Sequence, residues 1–380
     1  MFLVWPSRLS ALFLGWMGFC LWALMTLNWT PVPSAGTRAA LSLLAIGLGS
    51  IFCVRCLGSL ANPPGKHRVV TILSMAMFVQ AAVIILEALS GGFILPLINA
   101  TIQKKNITFS NLNSGVNLGL LLTWVLIMGA FDQGRRRLAG ALIIGMVLLV
   151  GLSNSESAKV ALILAVAASG ATLLLGRWAL RLVIWGYALF LTVTPFVFSR
   201  ILTDSLFREI APHLPFSFQH RFIIWRHVSD WIMEHPFLGW GVSASRSFQD
   251  ERKMLDIFQQ EEGWVQKSIQ IMPIHPHNAS LQIWLDLGVV GLVLAVLVLF
   301  LFLAVLERRQ RTRWHQAGVT GLITGGLLLT VGAYSIWQGW LLTCGVLVGC
   351  LGWMILRNEG GSSLAPESGG TTRVISTAGG

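Results

Sequence analysis

The sequence predicts an all-α protein, a polytopic membrane helix bundle of about ten transmembrane helices with one long, partly helical extracytoplasmic loop. Hydrophobic residues make up 54% of the 380 residues and charged residues only 11%, whereas about a quarter of the residues in a soluble domain are charged. The apolar residues also fall in runs close to the roughly 20 residues that a helix needs to cross a bilayer. Lipid is therefore the expected environment of most of the chain.

The apolar runs define the predicted helices. They predict spans at 10–27, 39–58, 69–89, 115–131, 138–152, 158–175, 180–198, 280–306, 316–334 and 337–356. Basic clusters occupy alternate connections: Lys66 and Arg68, Arg135 to Arg137, Arg177 and Arg181, and Arg308 to Arg313. Because Lys and Arg in short loops stay on the cytoplasmic side, we expect these connections and both termini to be cytoplasmic.

This topology divides the chain into four parts. Residues 1–198 form transmembrane helices 1–7, residues 199–277 form the extracytoplasmic loop, and residues 278–357 form helices 8–10. Residues 358–380, rich in Gly, Ser and Thr, are expected to be a disordered cytoplasmic tail. The net charge of +11 lies in clusters between spans and not along one face, so no nucleic-acid partner is expected.

The long loop contains a predicted amphipathic helix at the membrane interface, from Ser217 to Pro236. Its apolar residues recur every three or four positions: Phe218, Phe222, Trp225, Val228 and Ile232. Its other face carries polar and charged residues, namely Arg221, Arg226, His227 and Asp230. The spacing of Arg226 and Asp230 predicts an ion pair along the helix.

Two histidines precede the eighth span, in the segment His275-Pro276-His277-Asn278. An imidazole fixed at this boundary can accept a proton from a hydroxyl group near neutral pH. The alternative is a purely structural role, with Asn278 or Ser280 capping the span. The H-x-H pattern also suits zinc, but no carboxylate stands at a suitable spacing, so we predict no metal site.

Lys159 stands at the outer end of the sixth span. A cation beside lipid is a candidate functional residue. The alternatives are that its side chain reaches the interface, or that it pairs with Glu156.

The run from His275 to Gly291 (HPHNASLQIWLDLGVVG) resembles the signature of the O-antigen ligase and polymerase superfamily. In it, His277 and Asn278 stand nine residues before Gly288-x-x-Gly291. A second block is similar to the loop segment of that family: His220-Arg221, the residues 235–241 (HPFLGWG), and Ser245-Arg246. Leu292 and Val293 replace the Thr pair that often follows in ligases, which leaves ligase and polymerase both open.

The resemblance implies a glycosyltransferase of the bacterial inner membrane whose active site faces the periplasm. It implies transfer of a glycan from undecaprenyl pyrophosphate to a hydroxyl group of lipid A-core, without metal, ATP or other cofactor. It implies catalytic roles for Arg221, Arg246 and His277. The predicted substrate-binding residues are His275, Asn278, Lys159 and Arg226.

Other functions remain open at this stage. A polymerase of O-antigen or exopolysaccharide would use the same donor, with a growing glycan as acceptor, and a protein O-glycosyltransferase is a third version. A membrane transporter would place polar residues at helix ends, but it also predicts internal repeats, and the hydropathy shows no convincing repeat. A purely structural membrane protein would leave the arginines and histidines of the loop without a role.

Overall fold

The computed structural model describes residues 7–90, 112–248, 252–259, 262–309, 312–332 and 334–357. The tail predicted at 358–380 lies outside the described residues. The described part of the chain forms twelve α-helices and one β-hairpin, which confirms the all-α class. In chain order these are α1 Ser7–Met25, α2 Pro33–Ser59, α3 Pro63–Leu89, α4 Asn113–Asp132, α5 Arg136–Gly151, α6 Glu156–Leu175, α7 Arg177–Phe196, α8 Asp204–Ile210, α9 Phe216–Glu234, β1 Arg252–Gln259, β2 Gly263–Gln270, α10 Ala279–Arg309, α11 Arg313–Gly332 and α12 Gly339–Leu356.

Ten of these helices coincide with the ten predicted spans, and eight are long and apolar enough to cross a membrane. The two others are α5 and α11. The sixteen residues of α5 reach about 24 Å at 1.5 Å per residue, less than the roughly 30 Å hydrocarbon core. α11 begins with the polar run Arg313-Trp314-His315-Gln316.

α4 is the central helix of the main core. It is buried along nearly its whole length, and it packs against α3, α5, α11 and α12. Its glycines allow close contact, because a Cβ at Gly129 would lie 2.7 Å from a methyl group of Val70. α10 packs mainly against α1 and α7, and its Leu303 joins the main core.

α9 confirms the helix predicted in the long loop. Val228 and Ile232 are fully buried in a cluster with residues of α7 and α10, whereas Phe218 is 42% exposed. Most of the apolar face is therefore covered by protein. The predicted Arg226–Asp230 ion pair is wrong: Arg226 pairs with Asp204 at the start of α8. An i,i+4 pair contributes only about 0.2–0.5 kcal/mol, so a tertiary partner easily replaces it.

A β-hairpin follows α9, which the sequence pattern did not predict. β1 and β2 pair in antiparallel register from Arg252 opposite Gln270 to Gln259 opposite Gly263. Ile257 and Ile269 are buried against aromatic residues of α8 and α9. The amide side chain of Gln219 bonds both the N–H and the C=O of Phe258, at 3.0 Å each. Side-chain hydrogen bonds thus fasten the hairpin to α9.

Candidate active site

α10 is broken at Gly288, and the break holds a second segment of the chain. Gly288 has φ +64° and ψ −164°, which no helical residue adopts. Residues 236–241 lie in the gap. Trp240 N and Gly241 N donate to the carbonyls of Leu285 and Asp286, at 2.7 and 2.9 Å. On the other side Val289 N donates to Pro236 O at 2.9 Å. The backbone groups freed by the break are therefore satisfied by protein, as burial in a membrane requires.

The G-x-x-G motif has a steric reason in this arrangement. A Cβ at Gly288 would lie 2.3 Å from Phe237 O, and a Cβ at Gly291 would lie 2.1 Å from Leu287 Cβ. Gly239 also has positive φ, +70°, and faces the backbone of Gly288. Glycine is required at Gly288 and Gly239 both by the dihedral angles and by the close approach of two backbones.

The docked segment leads into a tight turn that carries Arg246. A 3-10 helix spans Ala244–Phe248, and Arg246 N donates to Ser243 O at 3.1 Å. Ser243 has φ +65°, and Ser245 Oγ donates to Ile274 O at 3.2 Å. Ser243, Ala244 and Ser245 are buried, whereas Arg246 is exposed.

The predicted histidine segment lies next to this turn. His277 N donates to His275 Nδ1 at 3.2 Å, and the two ring centroids are 4.1 Å apart. Trp225 Nε1 of α9 donates to Pro276 O at 2.8 Å, which holds the segment against the loop helix. The predicted cap is confirmed: Asn278 Oδ1 accepts from the N–H groups of Ser280 and Leu281 at 3.0 and 3.3 Å.

Backbone strain is concentrated at these two places. Among the described residues, Ser243 and His277 are the two non-glycine residues with positive φ, +65° and +52°. Such conformations cost of order 1–3 kcal/mol each and cluster at functional sites, where the surrounding structure holds them. Both residues lie next to a cavity in the described part of the chain.

That cavity has a volume of about 280 Å³. Four parts of the chain line it: the beginning of α2, the Arg246 turn with His275, Gln282 of α10, and the connection between α11 and α12. Most of its polar groups come from six side chains, Arg38, Ser243, Arg246, His275, Gln282 and Gln338. The loop and both halves of the bundle therefore meet at one polar cavity.

His275 is the buried titratable group of this cavity. Burial, together with the nearby charges of His277 and Arg246, lowers the pKa of His275 to about 3. Its ring is therefore neutral at neutral pH. Because Nδ1 accepts the bond from His277 N, the proton of the neutral ring is on Nε2, and His275 can donate from there.

Three arginines near the cavity have no acidic partner. Within the described residues, no carboxylate lies within 4.0 Å of the guanidinium groups of Arg38, Arg221 or Arg246. Arg221 is half-buried over the ring of Phe218, and burial lowers its pKa. A buried cation without a counter-charge is costly unless an anion binds it.

The predicted residues are thus only partly brought together. Arg246 and His275 line the cavity, and the ring of His277 lies beside that of His275 at an interplanar angle of 53°. Arg221 is not among the lining residues: it reaches Gly332 at the end of α11, just before the connection that lines the cavity. Lys159 pairs with Glu156 at 3.0 Å, the alternative that the sequence left open.

Sequence reasoning missed Arg38, Gln282 and Gln338. One sequence feature could have identified Arg38. It is a cation at the start of an apolar span, on the predicted outer side of the membrane, where the short connections contain few cations. Gln282 is a polar residue in the eighth apolar run, one helical turn after Asn278. No sequence pattern indicated that the segment between α11 and α12, which contains Gln338, lies next to the long loop.

Comparisons with known proteins agree with this geometry. Residues 141–296 match the family model described as O-Antigen ligase. This range contains the Arg246 turn, the histidine segment and the break at Gly288. Over this range the chain is similar to the O-antigen ligase family. Arg38 and the α11–α12 connection lie outside the matched range.

Several proteins similar to this chain carry the name "putative polysaccharide ligase". One from Rickettsia conorii is 26% identical over 272 residues, which cover 69% of this chain and 61% of the relative. One from Rickettsia typhi is 26% identical over 246 residues, covering 62% and 56%. One from Rickettsia felis is 25% identical over 358 residues, covering 91% and 80%. The chain thus spans less than two thirds of the length of the first two relatives.

Proposed function

We propose that this chain transfers a glycan from undecaprenyl pyrophosphate to a hydroxyl group of lipid A-core at the periplasmic face of the bacterial inner membrane. One observation carries the proposal: the guanidinium groups of Arg38 and Arg246, which have no carboxylate partner among the described residues, line a cavity that also contains a neutral imidazole. Cations free to bind an anion and an imidazole beside them are the groups that such a transfer requires.

The diphosphate of the donor accounts for the arginines. Negative charge grows on it as the sugar bond breaks, and a guanidinium binds phosphate oxygens through a planar fork of N–H donors. Arg246 and Arg38 bind the diphosphate in this proposal. Arg221 belongs to α9, and its half-buried guanidinium lies near Gly332 at the end of α11. In this proposal it stabilises the same leaving group from the side of α9.

The two histidines have different roles. His275 Nδ1 already accepts a hydrogen bond from the backbone, so this ring orients a substrate oxygen through Nε2–H. His277 acts as the general base. Its strained backbone, φ +52°, holds the ring against His275.

The bond from the anomeric carbon to the diphosphate oxygen breaks, and its electron pair leaves with undecaprenyl pyrophosphate. The acceptor oxygen bonds the anomeric carbon while its proton passes to His277. The energy comes from the pyrophosphate linkage, so no ATP enters the step.

Purified protein with a lipid-linked donor tests the proposal. Replacement of a general base typically lowers the rate by about 10²–10⁴-fold, so we expect His277→Ala to lose transfer by a factor in this range. Lys66→Ala is the control, because Lys66 Nζ bonds Arg357 O at the other end of the bundle, and it should retain activity. Full activity of His277→Ala would refute the role of the base, and absence of transfer by the wild type would refute the function.

A deletion strain separates ligase from polymerase. Lipid A-core without any attached chain is the result expected for a ligase. Core that bears a single repeat unit would instead make the chain a polymerase with a growing glycan as acceptor.

A further inference from the structure

Asp286 is a buried carboxylate that the proposed chemistry leaves without a role. It lies in α10 two residues before the break, and its side chain has no exposed surface. No cation pairs with it within the described residues. A carboxylate in such a place requires hydrogen-bond donors.

The donors come from two walls of the cavity. Ser243 N and Ser245 N, in the Arg246 turn, donate to Oδ2 and Oδ1 at 3.2 and 3.4 Å. Trp337 Nε1, in the α11–α12 connection, donates to Oδ2. One carboxylate therefore joins the turn that carries Arg246 to the opposite wall.

The turn needs such a partner. The first N–H groups of a helical turn have no acceptor within it, and a carboxylate there satisfies them and complements the positive end of the peptide dipoles. Ser243 adopts φ +65° without being glycine, so the turn is held in a conformation that it would not adopt by itself.

A second residue of α10 supports the same wall. Gln282 lies one helical turn before Asp286. Its Nε2 donates to Ser335 Oγ at 2.9 Å, and its Oε1 accepts from Ile336 N at 3.1 Å. The stripe of Gln282 and Asp286 thus fixes the α11–α12 connection against α10, and Asp286 alone extends this support to the Arg246 turn.

We infer that Asp286 is a positioning residue, which sets the Arg246 guanidinium against the diphosphate of the donor by anchoring its turn to α10 and to Trp337. The inference rests on the proposed function. Asp286 touches neither substrate nor reacting atoms, so its effect on transfer passes through Arg246.

Replacement of Asp286 by asparagine tests the inference. An amide has one acceptor oxygen where the carboxylate uses two, so at least one of the three donors loses its acceptor. We expect kcat/KM for the lipid-linked donor to fall by about tenfold. Asp132→Asn is the matched control: Asp132 bonds His315 at 2.8 Å at the other end of the bundle, and its replacement should leave kcat/KM unchanged.

A double-mutant cycle separates positioning from general destabilisation. Arg246→Lys retains a cation but loses the planar fork of N–H donors. In this background Asp286→Asn should lower kcat/KM by less than about threefold, because Asp286 acts on transfer only through the guanidinium that has been removed. An equal loss in both backgrounds, or no loss in either, overturns the inference.

Two further results are distinguishable. A wild-type protein that transfers no glycan refutes the proposed function before the cycle begins. If Asp286→Asn does not fold, Trp337→Phe takes its place in the cycle, since it removes one donor to the carboxylate and keeps an aromatic ring. Its loss of kcat/KM should also shrink in the Arg246→Lys background, and an undiminished loss overturns the inference.

Discussion

At one end of the bundle several arginines bond to neighbouring helices, while at the other end three arginines have no acidic partner within the described residues. Arg181 of α7 pairs with Glu307 of α10. Arg135 donates to Thr71 Oγ1 at 2.7 Å, and Arg313 donates to Thr172 O at 3.1 Å. These bonds join helix ends to one another.

The cavity end is different. Arg38, Arg221 and Arg246 lie within or close to the cavity, while Arg226 and Lys159 at the same end have carboxylate partners. Residue type alone therefore does not identify a binding group. An arginine that a carboxylate already pairs, as Asp204 pairs Arg226, is a weaker candidate for binding an anionic ligand than one that lines a cavity without such a partner.

The largest effect is expected from Gly288→Ala, which tests whether the break in α10 builds the cavity end. The new Cβ would lie 2.3 Å from Phe237 O at φ +64°, and strain plus overpacking should cost more than about 3 kcal/mol. We expect loss of folded protein in size-exclusion chromatography. Gly140→Ala is the control, since a Cβ at Gly140 would have no atom within 4 Å apart from the neighbouring backbone of its own helix. Normal folding of Gly288→Ala would show that the break is dispensable.

Arg246→Ala and Arg181→Ala compare the two ends directly. Removal of a group that stabilises charge in the transition state typically lowers the rate by about 10²–10³-fold, so Arg246→Ala should lose transfer to this degree with an unchanged Tm. Arg181→Ala should retain transfer, because its partner Glu307 belongs to the other end. Equal activities of the two variants would contradict the comparison.

Arg38→Ala should have a smaller effect, about tenfold on the KM of the lipid-linked donor, because Arg246 would still contact the diphosphate in the proposed site. Steady-state kinetics at varied donor concentration measures it. Arg357→Ala serves as control, since Arg357 bonds Gly58 O at the other end. An unchanged KM in Arg38→Ala would remove α2 from the site.

The smallest effect concerns the stability of the cavity end in mild acid, just below pH 6.5. The pKa of His275 falls from 6.5 to about 3 in the folded protein, so below pH 6.5 the unfolded chain binds a proton that the folded chain does not. Neutral His275 makes its full contribution to the free energy of unfolding above pH 6.5. This contribution is lost as pH falls toward 3, by at most about 1.4 kcal/mol per pH unit. Thermal unfolding at several pH values should show a shallower slope in His275→Gln. Identical slopes would contradict the burial of this ring.

Much of the fold followed from the sequence because lipid imposes simple rules. Long apolar runs placed all ten helices, and the three- and four-residue spacing placed α9. The hairpin at 252–270 escaped prediction because its stability comes from Gln219 and the aromatic residues of α8 and α9, not from its own alternation. The partner of Arg226 escaped for a similar reason.

The sequence by itself determined the all-α membrane class and the candidate residues of the long loop. Hydropathy and the spacing of His277, Gly288 and Gly291 are local properties of the chain, so they can be read without a structure. Only the tertiary structure decided which of those residues meet. Arg38, Arg246 and Gln338 are far apart in sequence, and they share a cavity because a loop segment docks into the break in α10. Such docking depends on hydrogen bonds between distant backbones, which no local pattern encodes.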